Sequence, residues 1–344
     1  MLFYLGDYQF GVGVPVGGEG ILHAVNGLME LKGHSDSMSI FLIDFSNAFN
    51  MVSRSCLIQE VRLHCTGDPL GTLLFALTLH PLVKSIASRC MLYFHAWYLD
   101  DGTIIGDSMD VAKALSISES EGPSRGLHLN IKKTEVFWPT PYPRSMELGV
   151  FPPDIDRTIK GVKLLCVLVS LDLDFMSDMA LHRVNKTIQL MSAIKKLRDP
   201  QSEMLLLRNC VGVSRLYFSM FTTNPTALHQ ASDLVDNHLF QYLRLLITGD
   251  GAGFSPLQQI LATLPIKDGG LGIYTMEDTN TYCYLASQSQ TTSVRKTILG
   301  RSFSDNGVTY QLALQNFIQV CGLPPSHCVD DTAPFYAFPG SHLL

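Results

Sequence analysis

The sequence predicts an α/β (α+β) protein whose chemistry sits on a small sheet, and three observations carry that prediction. "MSIFLIDF" (38–45) is a short apolar run that ends beside an aspartate. "LYFHAWYLDDGTIIGD" (92–107) places two β-rich runs on either side of Asp-Asp-Gly. From about 178 to 245 the apolar positions recur at helical spacing. These read in turn as a buried strand, a hairpin and a helical region that follows the sheet in the chain.

The remaining elements fall around these. Residues 1–18 are glycine-rich and read as a loop, which lacks the Gly-Lys-Ser/Thr of a P-loop. Ile21, Leu22, Val25, Leu28 and Met29 give residues 19–31 helical periodicity. After strand 38–45 a helix is expected over about 54–64. "GDPLG" is a turn signal, with Pro69 opening an apolar helix over 70–88. Hairpin 93–106 is expected to turn at Asp-Gly, where positive φ costs little. A helix over 108–121, a loop at "EGPSRG" and a strand at 135–138 follow. "PTPYPRSMELGVFPPDID" (139–156) carries five prolines and marks a boundary. "KLLCVLVSLDL" (163–173) reads as one more strand, with Asp172 and Asp174 at its polar end. The helical region is expected to break near Pro200 and Pro225.

Composition limits the classes of function. The 344 residues are 46% hydrophobic, enough for sizeable cores, and only 16% charged, below the roughly 25% of typical soluble domains. A net charge of −6 excludes a chain that coats itself on nucleic acid through global charge, so any such binding is local. A local surplus exists. Between Arg183 and Arg215 there are seven Lys and Arg against two acids, and Arg183, Lys186, Lys195, Lys196 and Arg198 supply most of it. A solvated helix face is the plain alternative. The eight cysteines form no CxxC pair and read as free thiols of a reducing compartment. No basic segment leads into an apolar leader, and Pro69–Val83 is shorter than the roughly 20 residues a membrane span needs. An intracellular protein with no membrane partner is expected.

The aspartates give the sharpest expectation. If strand 38–45 lies beside the hairpin, Asp44 meets Asp100 and Asp101, and three carboxylates at close range raise one another's pKa. Magnesium takes carboxylate oxygens, and a pair of such ions suits an in-line displacement at phosphorus. Asp-Asp-Gly alone is more often a surface turn.

"FLIDFSNAFN" (41–50), "GDPLGTLLFAL" (67–77), "WYLDDGTIIGD" (97–107) and "GLHLNIKKTEVFWP" (126–139) together resemble motifs A, B, C and D of reverse transcriptases, in that order. The likeness is nearest to the LINE-like, non-LTR retrotransposons of plants, and "DPQSEMLLLRNC" (199–210) and "LPIKDGGLGIY" (264–274) extend it downstream. The resemblance implies a right-hand polymerase palm with incomplete fingers, followed by a mainly helical thumb-like region. It divides the chain into a fingers segment (1–37), the palm (38–156), a motif E-like strand with the thumb-like region (157–250) and a C-terminal connection (251–344).

The resemblance also implies roles. Asp44, Asp100 and Asp101 hold two Mg²⁺ or Mn²⁺ ions, Phe49 excludes a ribose 2′-hydroxyl, and Tyr98 belongs to the substrate side of motif C. Gly67 and Asp68 form the motif B turn near template and incoming base. Lys133 stands near the triphosphate, with Lys132 beside it. The implied partners are an RNA template, a DNA primer and a dNTP, and the implied location is the nucleus. Three departures qualify the likeness. Thr66 replaces a glutamine, Cys166 replaces a glycine, and "EVRLHC" runs directly into motif B where the family has several tens of residues. These departures imply a lost part of the fingers and set an inactive remnant that binds nucleic acid against an active polymerase.

Overall fold

The computed structural model describes residues 5, 7–35, 37–56, 58, 71–141, 150–249, 251, 253–300 and 307–321. The chain is a mixed α/β protein that divides into two compact units, residues 1–171 with 291–307, and residues 172–290 with 308–344.

The first unit is built on a five-stranded mixed sheet. Its helices and strands are α1 (Gly17–Lys32), β1 (Met38–Ile43), α2 (Ala48–Met51), α3 (Gly71–Arg89), β2 (Leu92–Tyr98), β3 (Asp101–Asp107), α4 (Ser108–Glu121), β4 (Glu135–Phe137) and β5 (Asp156–Thr158). The strand order is β2-β3-β1-β4-β5, antiparallel except between β4 and β5. The apolar run at the centre of β1 requires cover on both faces, and side-chain alternation sorts it. Phe41 and Ile43 share a core with Trp97, Ile104 and Val136 beneath α3 and α4. Ile40 and Met38 share another with Phe94, Ile105 and Phe137 beneath α1.

α3 is long and apolar enough, by length and composition, to cross a membrane. Half of its most apolar window is buried, and Phe75, Leu79, Leu82, Val83 and Ile86 pack into the core under the sheet. That is the pattern of a core helix, and α3 is the single such candidate among the described residues.

Two readings of this unit are corrected. Residues 163–173 are not one strand: β6 (Val162–Leu164) and β7 (Val167–Val169) form a two-residue hairpin. Its turn residues Leu165 and Cys166 both have positive φ, which favours Gly or Asn and leaves no turn signature in this sequence. The glycine-rich opening is not wholly a loop, since Gln9 bridges Trp97 in parallel and Phe10 N donates to Trp97 O at 2.8 Å. The chain also returns to this unit late. Helix α11 (Thr292–Leu299) packs on α1, where a Cβ on Gly20 would lie 2.5 Å from Val294 Cγ1.

The second unit is helical: α5 (Leu173–Ile194), α6 (Pro200–Leu206), α7 (Tyr217–Thr222), α8 (His229–Thr248), α9 (Pro256–Thr263), α10 (Met276–Gln290) and α12 (Val308–Cys321). Asp172 and Asp174 are not a strand end. Asp172 accepts from Phe175 N at 3.0 Å and caps α5, and Asp174 lies in its first turn. The helical region breaks just before Pro200 and Pro225, and each proline starts the next helical turn behind an Asp or Asn cap. The expected helix over 54–64 lies mostly outside the described residues.

Asp236 of α8 caps α10 across the core, its Oδ1 accepting from Met276 N at 2.8 Å and its Oδ2 from Glu277 N at 2.9 Å. Burial pushes its carboxyl up to about 6, with those two bonds opposing and Asp278 and Glu277 adding repulsion. Because the folded value lies above the ordinary 3.8, this group's stabilising contribution is full below about pH 4 and is lost as pH rises through 6. Relative to Asp236→Asn, the wild type is therefore expected to lose up to about 3 kcal/mol of stability between pH 4 and pH 7, read from urea unfolding at both. A difference that grows with pH would contradict this.

Candidate active site

The carboxylates gather at one end of the sheet for a reason visible in the register. β1 and β3 pair from Met38–Asp107 to Ile43–Gly102, and β2 and β3 pair to Tyr98–Asp101. One step past Ile43–Gly102, Asp44 follows β1 where Asp101 begins β3. Directly opposed residues on paired strands share a face. Asp44, Asp101 and Tyr98 thus belong to one face at one edge, and Asp100 lies in the turn between β2 and β3.

The electrostatics agree with that placement. Burial raises the Asp100 carboxyl above the ordinary carboxylate value, and the charge of Asp44 raises it further. Asp101 keeps an exposed surface, yet protein packed around its carboxyl, then Asp100, then Asp44, push it up to about 6. Two raised carboxyls beside the charge of Asp44 form a site that a cation relieves. Oxygen donors of this kind suit Mg²⁺ or Mn²⁺, so the donor chemistry fits. As the side chains stand, no group of three or more His, Cys, Asp and Glu is gathered into a metal cage among the described residues.

Asp44 is held through its backbone. Its carbonyl accepts from Asn130 N at 2.8 Å, its N–H donates to Thr134 Oγ1 at 3.5 Å, and Phe45 bridges Leu129. The segment that grips it contains the 3₁₀ turn Ile131–Lys133, so Lys133 is exposed close in the fold to Asp44, as is Lys132. Phe49 follows on α2, which opens on Asn47 at φ 47°. Its ring lies 4.6 Å from that of buried Phe75 and remains 43% exposed, so it is a seated aromatic surface and not a core residue.

The hairpin tip differs from expectation. The turn is Leu99–Asp100, and the positive φ, 57°, belongs to Leu99. Gly102 is needed for another reason, because a Cβ there would lie 2.6 Å from the ring of Trp97, its cross-strand partner. Gln9, which sequence reasoning missed, holds the tip. Its Oε1 accepts from Leu99 N at 2.8 Å and its Nε2 donates to Leu99 O at 3.1 Å.

The basic residues lie in the second unit. Lys186, Lys195, Lys196 and Arg198 are exposed along and after α5, whereas Arg183 is half-buried and donates from Nη1 to Ser219 Oγ at 2.5 Å. Phe218 is 37% exposed, and Phe221 stacks beside Tyr217 against the helical core. Gly67 and Asp68 lie outside the described residues. Cys56, Cys90, Cys166, Cys210 and Cys283 are free thiols.

Comparison with protein-family models and with curated proteins found no match to this chain.

Proposed function

We propose that the chain is the palm and thumb-like part of an RNA-directed DNA polymerase, extending a primer 3′-hydroxyl with dNTPs. The observation that carries this reading is the placement of Asp44, Asp100 and Asp101 at one end of the sheet, near enough for Asp44 to raise the other two, with the segment around Lys133 bound to the Asp44 backbone. The four sequence motifs supply those residues in the order the reading requires. The same arrangement supports a polymerase palm as the finer description of the mixed sheet.

Asp44, Asp100 and Asp101 would hold the metal ions. When bound, two divalent cations supply charge neutralisation at the reacting phosphate and its leaving oxygen. The chain's own residues do the rest. Phe49 offers its exposed ring to the sugar and crowds a 2′-hydroxyl. Lys133 carries positive charge to the leaving pyrophosphate, where it neutralises or protonates it. Lys186, Lys195, Lys196 and Arg198 track the phosphate backbone, so affinity for RNA falls as salt rises.

Primer extension on an RNA template with Mg²⁺ and dNTPs tests the reading, and wild-type extension supports it. Salt-sensitive RNA binding without extension would favour the second reading, a binding-only remnant, which the short spacing before motif B supports. Phe49→Val is expected to raise ribonucleotide use relative to deoxynucleotide by about tenfold, since removing a steric block is worth about 1.4 kcal/mol or more. Competition between rNTP and dNTP in the same assay measures it, and an unchanged ratio would remove Phe49 from the sugar site.

A further inference from the structure

We propose that Gln9 is a positioning residue for the carboxylate hairpin, fixing the Leu99–Asp100 turn that joins Tyr98 to Asp101; the inference rests on the polymerase reading of that site. Gln9 is 4% exposed, and both ends of its amide are spent on backbone. Oε1 accepts from Leu99 N at 2.8 Å and from Gly11 N at 3.0 Å, and Nε2 donates to Leu99 O at 3.1 Å. A single side chain thus satisfies both polar backbone groups of a residue in the left-handed region, where leucine is strained. The contact is close by construction. A Cβ on Gly11 would stand 2.7 Å from Leu99 N, so only glycine lets the opening segment approach the tip. Strand pairing anchors the other side, Tyr8 O accepting from Trp97 N at 2.7 Å and Trp97 O from Phe10 N at 2.8 Å.

The consequence is specific. Asp100 is the residue after Leu99 and Asp101 the next, so the orientation of both carboxylates depends on a turn whose strain Gln9 offsets. Without the clamp the turn relaxes and the acids separate. Residues that orient metal ligands typically change metal affinity by about 10–100-fold when replaced.

Two readouts on the full chain test this. Amide hydrogen exchange at Leu99 and Gly11 needs no metal, and Gln9→Met is expected to accelerate it at least about tenfold. Mn²⁺ affinity is expected to weaken about tenfold in Gln9→Met and less in Gln9→Glu, which keeps the acceptor for Leu99 N and Gly11 N but loses the donor. Ile104→Val loosens the buried β3 without touching the tip and is expected to leave Mn²⁺ affinity within about twofold. Unchanged exchange at Leu99 in folded Gln9→Met would overturn the clamp, as would equal Mn²⁺ affinity in all three variants. Wild type that binds no Mn²⁺ would overturn the polymerase reading, and the exchange data would still decide the clamp. If Gln9→Met does not fold, Gln9→Glu decides it by the same two measurements.

Discussion

Asp44→Asn and Asp100→Asn, each alone, are expected to reduce template-dependent primer extension by about 1000-fold or more without unfolding the protein. Asparagine matches aspartate in shape, and Asp44 is fixed by backbone bonds from Asn130 and to Thr134 that the side chain does not make. What changes is charge. The charge stabilisation that bound cations give a phosphoryl transfer is worth several kcal/mol, and each 1.36 kcal/mol is tenfold in rate. The same substitutions should leave stability equal or higher, because Asp44 raises the pKa of both Asp100 and Asp101 and its neutralisation relieves that repulsion. Activity lost with stability held or raised separates a reactive site from a structural one. Extension by Asp100→Asn at wild-type rate would end the two-metal reading.

The largest stability effect is expected at Gly102. Gly102→Val should cost about 3 kcal/mol or more, read as a fall in the urea midpoint. A Cβ there would lie 2.6 Å from two ring carbons of Trp97 and 2.9 Å from a third. Trp97 has no room to retreat: it is fully buried, its Nε1 donates to His95 Nε2 at 2.8 Å, and it stacks on Phe45 at 5.9 Å. Overpacking a site that can shift costs about 1–3 kcal/mol, and this ring is pinned on three sides. Gly106 in the same strand is the comparison. A Cβ there would lie 3.1 Å from Leu92 Cδ2, the end of a flexible side chain, so Gly106→Ala should cost under about 1 kcal/mol. Equal midpoints for the two variants would contradict the account.

Local signals explain most of what the sequence made legible. The helix expected over 108–121 is α4, Ser108–Glu121, because Asp107 caps it through Met109 N at 3.0 Å and Gly122 follows its end. β1 and the β2–β3 hairpin are short apolar, β-rich runs that need no partner to be read. Asp44, Asp100 and Asp101 were likewise visible as acids at strand ends. The misses were long-range. Asp-Gly looked like the hairpin tip because the alternative required a leucine at positive φ, and what supports that leucine is a glutamine ninety residues earlier. The turn at Leu165–Cys166 was hidden for a similar reason, and Asp172 read as a strand end because α5 begins where β7 stops. Lys132 and Lys133 occupy one exposed 3₁₀ turn, so geometry at the backbone does not choose between them.

Helix α11 bears on how the protein is made. The first unit closes only when residues 291–307 arrive, after the whole of 172–290 has left the ribosome. At 5–20 residues per second that interval is on the order of ten seconds. During it the α1 groove at Gly20 that receives Val294 stands open to water. A nascent chain in that state carries an uncovered apolar seat, a natural point for chaperone capture, and a transcript cut short before codon 291 would yield a sheet that never acquires its last helix.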